Sequence, residues 1–261
     1  MKLLKRFLLG IWYFVCLFQN LLFLRYKTYI LGSKHGKWAI LSDPSFSYQY
    51  ILSAGLGEDA SFEIELINLF GGKVFFIDPT PRALLHFDSI LESIGSPKSK
   101  EYSSDGSQSV KSYDLSTISS VSLQIIPFAL SSEDGIKRFF LPLNKINVSH
   151  SLISRPNLNS SENYIDVNSI CIASVLNLTN LPKIDLLKLD IEGSEIEVLF
   201  DLIDSKITVN QILVEFDSFP SFSIRKNLVI FNCHKFLTVS GYKLVKIVFP
   251  SNFTYVLSSI Q

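Results

Sequence analysis

Between Tyr50 and Pro81 the chain reads YILSAGLGEDASFEIELINLFGGKVFFIDPTP, a run that leaves few architectures open. Tyr50–Ser53 is a short apolar strand, Gly55 and Gly57 make a tight turn, and the carboxylates Glu58 and Asp59 follow. A helix over Ser61–Phe70 leads through Gly71 and Gly72 to a second apolar strand, Val74–Ile77, with Asp78 at its end. Strands joined by such a helix run parallel, so both loops open at the carboxyl edge of a sheet. That edge is where open α/β sheets bind their ligands.

Charge narrows the ligand. The spacing Gly55-x-Gly57-x-x-Ala60, with Asp78 about 20 residues on, satisfies a dinucleotide fingerprint and read literally predicts NAD. A pyrophosphate, however, needs the positive end of the following helix for its own charge. Glu58 and Asp59 already stand there, where they favour the helix dipole and repel phosphate. A ligand with adenosine, no phosphate and net positive charge fits this turn. S-adenosylmethionine, with its sulfonium and ammonium, is such a ligand.

The rest of the composition excludes more than it assigns. The 261 residues suit one α/β domain with insertions. Zero formal net charge leaves no footprint for nucleic acid. Cys16, Cys171 and Cys233 have no paired spacing, and the four histidines stand apart, so neither a disulfide framework nor a zinc site is expected. A reduced, cytoplasmic setting fits that usage.

Residues 1–28 form an apolar N-terminal helix, set off from a domain spanning 29–261. Phe7–Leu24 has no formal charge and is interrupted only by Gln19 and Asn20. Its length just reaches that of a membrane-spanning candidate, and no small-residue cleavage site follows it. Three readings stand: a helix in the membrane interface, a cytosol-facing anchor, or a helix packed on the domain or on a second subunit. Oligomeric state is left open.

After Tyr29–Pro44, read as an antiparallel lead-in with a strand over Lys37–Leu41, comes the glycine-turn unit and a helix from Arg82 to Ser93 carrying a partly exposed His86. Gly95–Ser122 holds 11 serines and few large apolar groups, which predicts an exposed connection. Val121–Leu130 reads as a third sheet strand, and Ile136–Leu141 as a hairpin partner at the sheet edge. Asn144–Asn163, with Ser149, His150 and Ser151, reads as a loop that covers a substrate site or simply crosses the surface. Tyr164–Asn168 is a short strand and Ile170–Leu178 a helix.

Ile184–Phe200, IDLLKLDIEGSEIEVLF, is the second informative stretch. Its first residues are nearly continuously apolar, as in a central parallel strand, except for Lys188. A lysine there needs a carboxylate nearby, and Asp190 lies two residues on, on the same strand face. Asp190 and Glu192 then sit at the carboxyl end of a central strand, and the next strand, Gln211–Phe216, also ends in acids, Glu215 and Asp217. A helix over Ser223–Val239 and two closing strands joined by Pro250-Ser251-Asn252 complete a mostly parallel, helix-flanked sheet.

Together, SAGLGEDASFE, FFIDPTPRA, IDLLKLDIEGSEIEVL and ILVEFD resemble the FkbM-type methyltransferases over roughly Lys37 to Leu257. The glycine turn is a weak signal; the Lys-x-Asp-x-Glu-Gly-x-Glu run behind a strand is specific. The resemblance implies the class I, Rossmann-like methyltransferase fold: seven mostly parallel strands flanked by helices, the last strand antiparallel. It implies S-adenosylmethionine as cofactor and methyl transfer, usually to a hydroxyl of a sugar, glycan or other small metabolite. On the matching positions, Ala54, Gly55 and Gly57 would line the methionine part of the cofactor, and Glu58 or Asp59 would face its positive end. Asp78 would accept both ribose hydroxyls, and Phe128, Ala129 and Leu130 would flank the adenine.

Displacement at a sulfonium methyl requires the acceptor oxygen held in line, and a base to take its proton. Asp190 is the first candidate, Glu192 the second and Glu215 the third. The competing reading gathers Asp190, Glu192, Glu215 and Asp217 around a divalent cation; no spacing fixes such a cage, and none is expected. Other classes remain: a glycosyltransferase using Asp190-Ile191-Glu192, an NAD-dependent oxidoreductase, or a non-catalytic binding domain. The acidic Glu58-Asp59 turn counts against the first two, and the retained acids against the third.

Overall fold

The computed structural model describes residues 2–22, 26–43, 46–142, 159–216 and 223–258. Helix α1 (Lys2–Leu22) is followed by β1 (Thr28–Leu31) and β2 (Trp38–Leu41), which pair antiparallel. The unit β3 (Tyr50–Ala54), α2 (Ser61–Phe70), β4 (Lys73–Ile77) falls where the sequence predicts, and α3 (Pro81–Glu92) follows with Thr80 as its N-cap. Beyond it come β5 (Leu123–Ile126), β6 (Ala129–Leu130), β7 (Gly135–Pro142), β8 (Asn159–Ile170) and α4 (Ile172–Thr179). The chain continues through β9 (Ile184–Leu189), α5 (Glu195–Asp204), β10 (Val209–Glu215), α6 (Ile224–Val239), β11 (Tyr242–Val248) and β12 (Asn252–Leu257).

Seven strands form the main sheet in the order β11-β12-β10-β9-β3-β4-β5. β5, β4, β3, β9 and β10 pair parallel, while β12 enters antiparallel between β10 and β11. This is the expected arrangement, last strand included. β9 is buried at all six positions, as a strand covered on both faces must be. Leu52, Phe75, Leu187 and Ile212 point to the face packed by α4, α5 and α6. Ile51, Phe76, Leu186 and Leu213 point to the face packed by α2, α3 and the β1–β2 pair. That pair is held by sheet side chains: Thr254 donates to the Ala39 carbonyl at 2.8 Å, and Gln211 Oε1 accepts from the Leu41 N–H at 3.0 Å.

Three sequence expectations change. The third strand does not run through to Leu130: it ends at Ile126, because Pro127 has no N–H to continue a ladder. Ala129–Leu130 pairs instead with β8, in a separate three-stranded sheet of order β6-β8-β7. The Ile136–Leu141 strand belongs to that small sheet, not to the edge of the main one, and its partner β8 is far longer than the expected Tyr164–Asn168. Residues 95–122, expected to be exposed, instead bury Tyr113, Leu115 and Ile118 against the α2–α3 face. Serine-rich composition hid this, because three of its few large side chains turn inward while the serines dominate the average. Ser149, His150, Ser151 and Asp217 lie outside the described residues.

Helix α1 packs one stripe on the β11–β12 edge. Trp12 Nε1 donates to the Pro250 carbonyl at 2.8 Å, Cys16 is buried in the core, and Asn20 exchanges two hydrogen bonds with the Ile247 backbone. Among the described residues, no helix is long and apolar enough to cross a membrane.

Candidate active site

The carboxyl ends of β3, β4, β9 and β10 open onto one cleft of about 320 Å³. Gly55, Gly57, Glu58, Asp59, Asp78, Ala129, Leu130, Asp190, Glu192 and Glu215 all line it. Two expected contributors do not: Ala54 lies fully buried in the core, and Phe128 is partly buried against it.

Gly55 holds the strands together as much as it turns the chain. Its φ of +86° is a glycine conformation, and a Cβ there would stand 1.8 Å from the Asp190 carbonyl oxygen. The first turn therefore lies directly on the Asp190 loop, whose N–H donates to the Ala54 carbonyl at 3.1 Å.

Lys188 finds a carboxylate, but not the expected one. Its Nζ reaches Glu63 Oε1 on α2 at 3.0 Å and the Gly55 carbonyl at 3.2 Å. Ser53, on the same sheet face, donates to Glu63 Oε1 as well. Burial alone would lower the lysine's pKa. The charges of Glu63 and then Asp190 more than offset this, and its pKa stands above the ordinary value. Asp190 contributes field, not the ion pair.

The acids at the turn are tied to protein. Glu58 accepts from Arg82 at 2.7 Å and from Ser107. Asp59 Oδ1 takes the Ser61 N–H at the start of α2 (2.9 Å), and Oδ2 takes the Ser33 hydroxyl (2.6 Å). Asp59 thus satisfies the helix end that a phosphate would need, in line with the charge reading. Asp78 is 5% exposed; its Oδ2 accepts from Gly57 N (3.0 Å), and its Oδ1 from both the Thr80 N–H and hydroxyl (2.9 and 2.7 Å). A carboxylate has about four acceptor positions, so one on Oδ2 is left. Acceptance of two ribose hydroxyls, as expected from sequence, requires the Thr80 hydroxyl to turn away.

Across the cleft, Asp190 and Glu215 form a carboxyl pair. Burial, then the charge of Glu215, pushes Asp190 well above the ordinary carboxylate range. Burial also raises Glu215, against lowering hydrogen bonds from Ser251 (2.7 Å) and Asp190. Each acid thus disfavours the ionised form of the other, which favours a proton held by the pair. Glu192 lines the same wall with a left-handed φ of +57°, a conformation that costs a non-glycine residue about 1 kcal/mol or more. Among the described residues no three Asp, Glu, His or Cys side chains form a metal-holding group.

His35 and Gly36 from the β1–β2 loop, Gly106 from the serine-rich segment and Phe139 from β7 also line the cleft. None carries a motif. For His35 and Gly36 the available signal was the acid they fold over, since both backbone N–H groups donate to the Ser33 hydroxyl that binds Asp59. The cleft wall carries six carboxylate side chains against one lysine, already paired. That donor set fits a cationic cofactor.

A sheet with its last strand inserted antiparallel, and an acid-lined cleft at its carboxyl edge, define a class I methyltransferase. The family model described as Methyltransferase FkbM domain matches residues 60–231. The chain belongs to that family, and S-adenosylmethionine is its cofactor. No curated protein matches the chain. Among solved structures, the fibrillarin pre-rRNA processing protein of Methanococcus jannaschii is 11% identical, with 89% of this chain and 84% of that one covered and a TM-score of 0.38. Precorrin-6y C5,15-methyltransferase from Geobacter metallireducens GS-15 is 12% identical, with 80% and 82% covered and a TM-score of 0.35. At these scores neither bears on site or substrate.

Proposed function

We propose that this methyltransferase methylates a hydroxyl oxygen of a sugar, glycan or small metabolite, with residues 29–261 as the catalytic domain and 1–28 as an appended segment that carries α1. The observation that carries the reading is that Asp190, Glu215 and Asp78 line one cleft. S-adenosylmethionine supplies an electrophilic methyl group when bound. Gly55 and Gly57 give it close backbone approach, Glu58 and Asp59 favour its positive charge, and the free position on Asp78 Oδ2 accepts a ribose hydroxyl. Ala129 and Leu130 offer an apolar wall for the adenine.

A neutral alcohol is a poor nucleophile unless a base takes its proton as it attacks, whereas a thiolate or a neutral amine attacks without that help. A carboxyl pair that holds one proton between two acids retains one negative charge, and its raised affinity for protons suits it to receive the hydroxyl's. Asp190 is the member nearest the glycine turn, through the contact of its backbone with Gly55. The domain works where S-adenosylmethionine is made, in the cytosol, with the N-terminal helix as a point of membrane contact.

Calorimetric titration of the full chain with S-adenosylmethionine, S-adenosylhomocysteine and NADH tests the cofactor site. Binding of the first two alone supports it; binding of NADH alone overturns the charge reading of Glu58 and Asp59. A panel of hydroxyl, amine and thiol acceptors, followed by mass spectrometry, tests the atom methylated. Methylation of amines and never of hydroxyls would refute the role given to the carboxyl pair.

A further inference from the structure

Helix α1 turns its polar side inward. Trp12, Asn20 and the buried Cys16 face the β11–β12 edge, whereas Phe14 (71% exposed), Phe18 (62% exposed), Leu17, Leu21 and Leu22 face outward. These outward positions recur at three- and four-residue spacing, one continuous apolar stripe along the helix. A helix docked on a domain ordinarily presents charge to water; this one presents aromatic and leucine side chains.

Charge in the surrounding sequence identifies what covers the stripe. The chain is neutral overall, yet residues 1–42 contain seven lysines and arginines and no acid, the first carboxylate being Asp43. Lys2, Lys5 and Arg6 precede the stripe, and Arg25 and Lys27 follow it. A second copy of the chain, laid parallel or antiparallel along α1, would set cations against cations at both ends. An apolar stripe bracketed by cations matches a helix lying in the headgroup region of an anionic bilayer. Among the described residues no helix is long and apolar enough to cross a membrane.

We infer that the outer face of α1 docks this enzyme onto the surface of an anionic membrane, with the helix lying in the membrane plane. The docked edge is close to the cleft: Trp12 holds the Pro250 carbonyl, and the next residue, Ser251, donates to Glu215 at 2.7 Å. The docked helix therefore adjoins the cleft's β10 wall through Pro250 and Ser251.

The test is flotation of the full chain with phosphatidylcholine vesicles, with and without about one-third phosphatidylserine, in rising salt. Association should be roughly tenfold or more stronger on the anionic vesicles and weaken as salt rises. F14S/F18S should lose that association while its calorimetric affinity for S-adenosylmethionine stays unchanged, since neither side chain touches the domain core. K2Q/K5Q/R6Q should lose the preference for anionic lipid while the apolar stripe is intact. Equal association with neutral and anionic vesicles, or none with either, overturns the inference. So does association undiminished in F14S/F18S. A dimer by light scattering that F14S/F18S dissociates, without vesicle binding, assigns the stripe to a second copy instead.

Discussion

Lys188→Met should be among the most damaging single substitutions in the sheet. The lysine and Glu63 are both buried, and their charged atoms lie 3.0 Å apart. At an effective dielectric of about 20, that distance corresponds to an attraction of about 5 kcal/mol before desolvation is counted. Methionine removes the positive charge and leaves Glu63 in the core with Ser53 on one oxygen and no hydrogen bond on the other. Breaking one side of such a pair costs about 3–5 kcal/mol, which for a chain of this size lowers Tm by about 10 °C. Removing both charges in Lys188→Met/Glu63→Gln should restore most of the loss. Denaturant unfolding of the wild type, both single variants and the double variant measures the coupling. A single-variant cost under about 1 kcal/mol, or a double variant that loses the sum of the two singles, would refute the pair as a coupled unit. The pH dependence has a definite sign. The folded-state pKa of Lys188 is raised, so its contribution is complete below the lysine's unfolded value and is lost only as pH climbs through the higher folded value.

Further outcomes follow from the cleft. Asp190→Asn should leave S-adenosylmethionine affinity nearly unchanged while lowering turnover about a hundredfold or more. The wild-type rate should fall on the acid side at a pH above the ordinary carboxylate range, because both pair members are raised. The same raised values mean the fold loses stability as pH rises between their unfolded and folded pKa values, since the folded state holds the extra proton there; a stability profile rising through that window would contradict it. Asp78→Ala should weaken calorimetric affinity for the cofactor by about 2 kcal/mol, with unchanged affinity removing the ribose assignment. Gly55→Ala, whose methyl would meet the Asp190 carbonyl at 1.8 Å, should cost about 2–4 kcal/mol of stability by denaturant unfolding.

The parallel half of the sheet was legible because each strand is a short apolar run closed by a turn residue; its register was not, because strands apolar on both faces carry no alternation to fix it. The glycine turn and the acids at the strand ends were legible for the same reason: topology alone brings such loops to one edge. Pairing across the chain was not. Nothing near Lys188 in sequence points to Glu63, which reaches it only once α2 packs on the sheet. Nothing in IIPFAL shows that residues after Pro127 leave for another sheet until β8 exists to receive them. Tyr113 illustrates the cost of averaging: one aromatic in a serine-rich stretch hydrogen-bonds the Ala60 N–H and meets His86, fixing the segment from inside. Asp78 was correctly placed, yet its existing bonds to Gly57 and Thr80 depend on side-chain and loop geometry that spacing does not carry.

The antiparallel insertion of β12 bears on how the molecule is made. β12, the last of the described strands, is an interior strand of the sheet, flanked by β10 and β11 and buried at nearly every position. During synthesis, β10 must wait with an unpaired edge while α6 and β11 emerge, and the anchoring of the β1–β2 pair is completed only then, because Thr254 and Asn252 of β12 add to the one bond from Gln211 of β10. Contacts as distant as Ala39 with Thr254 form late and slowly. A nascent chain arrested before Asn252 is therefore expected to be sensitive to protease throughout, its motifs present and its cleft unformed.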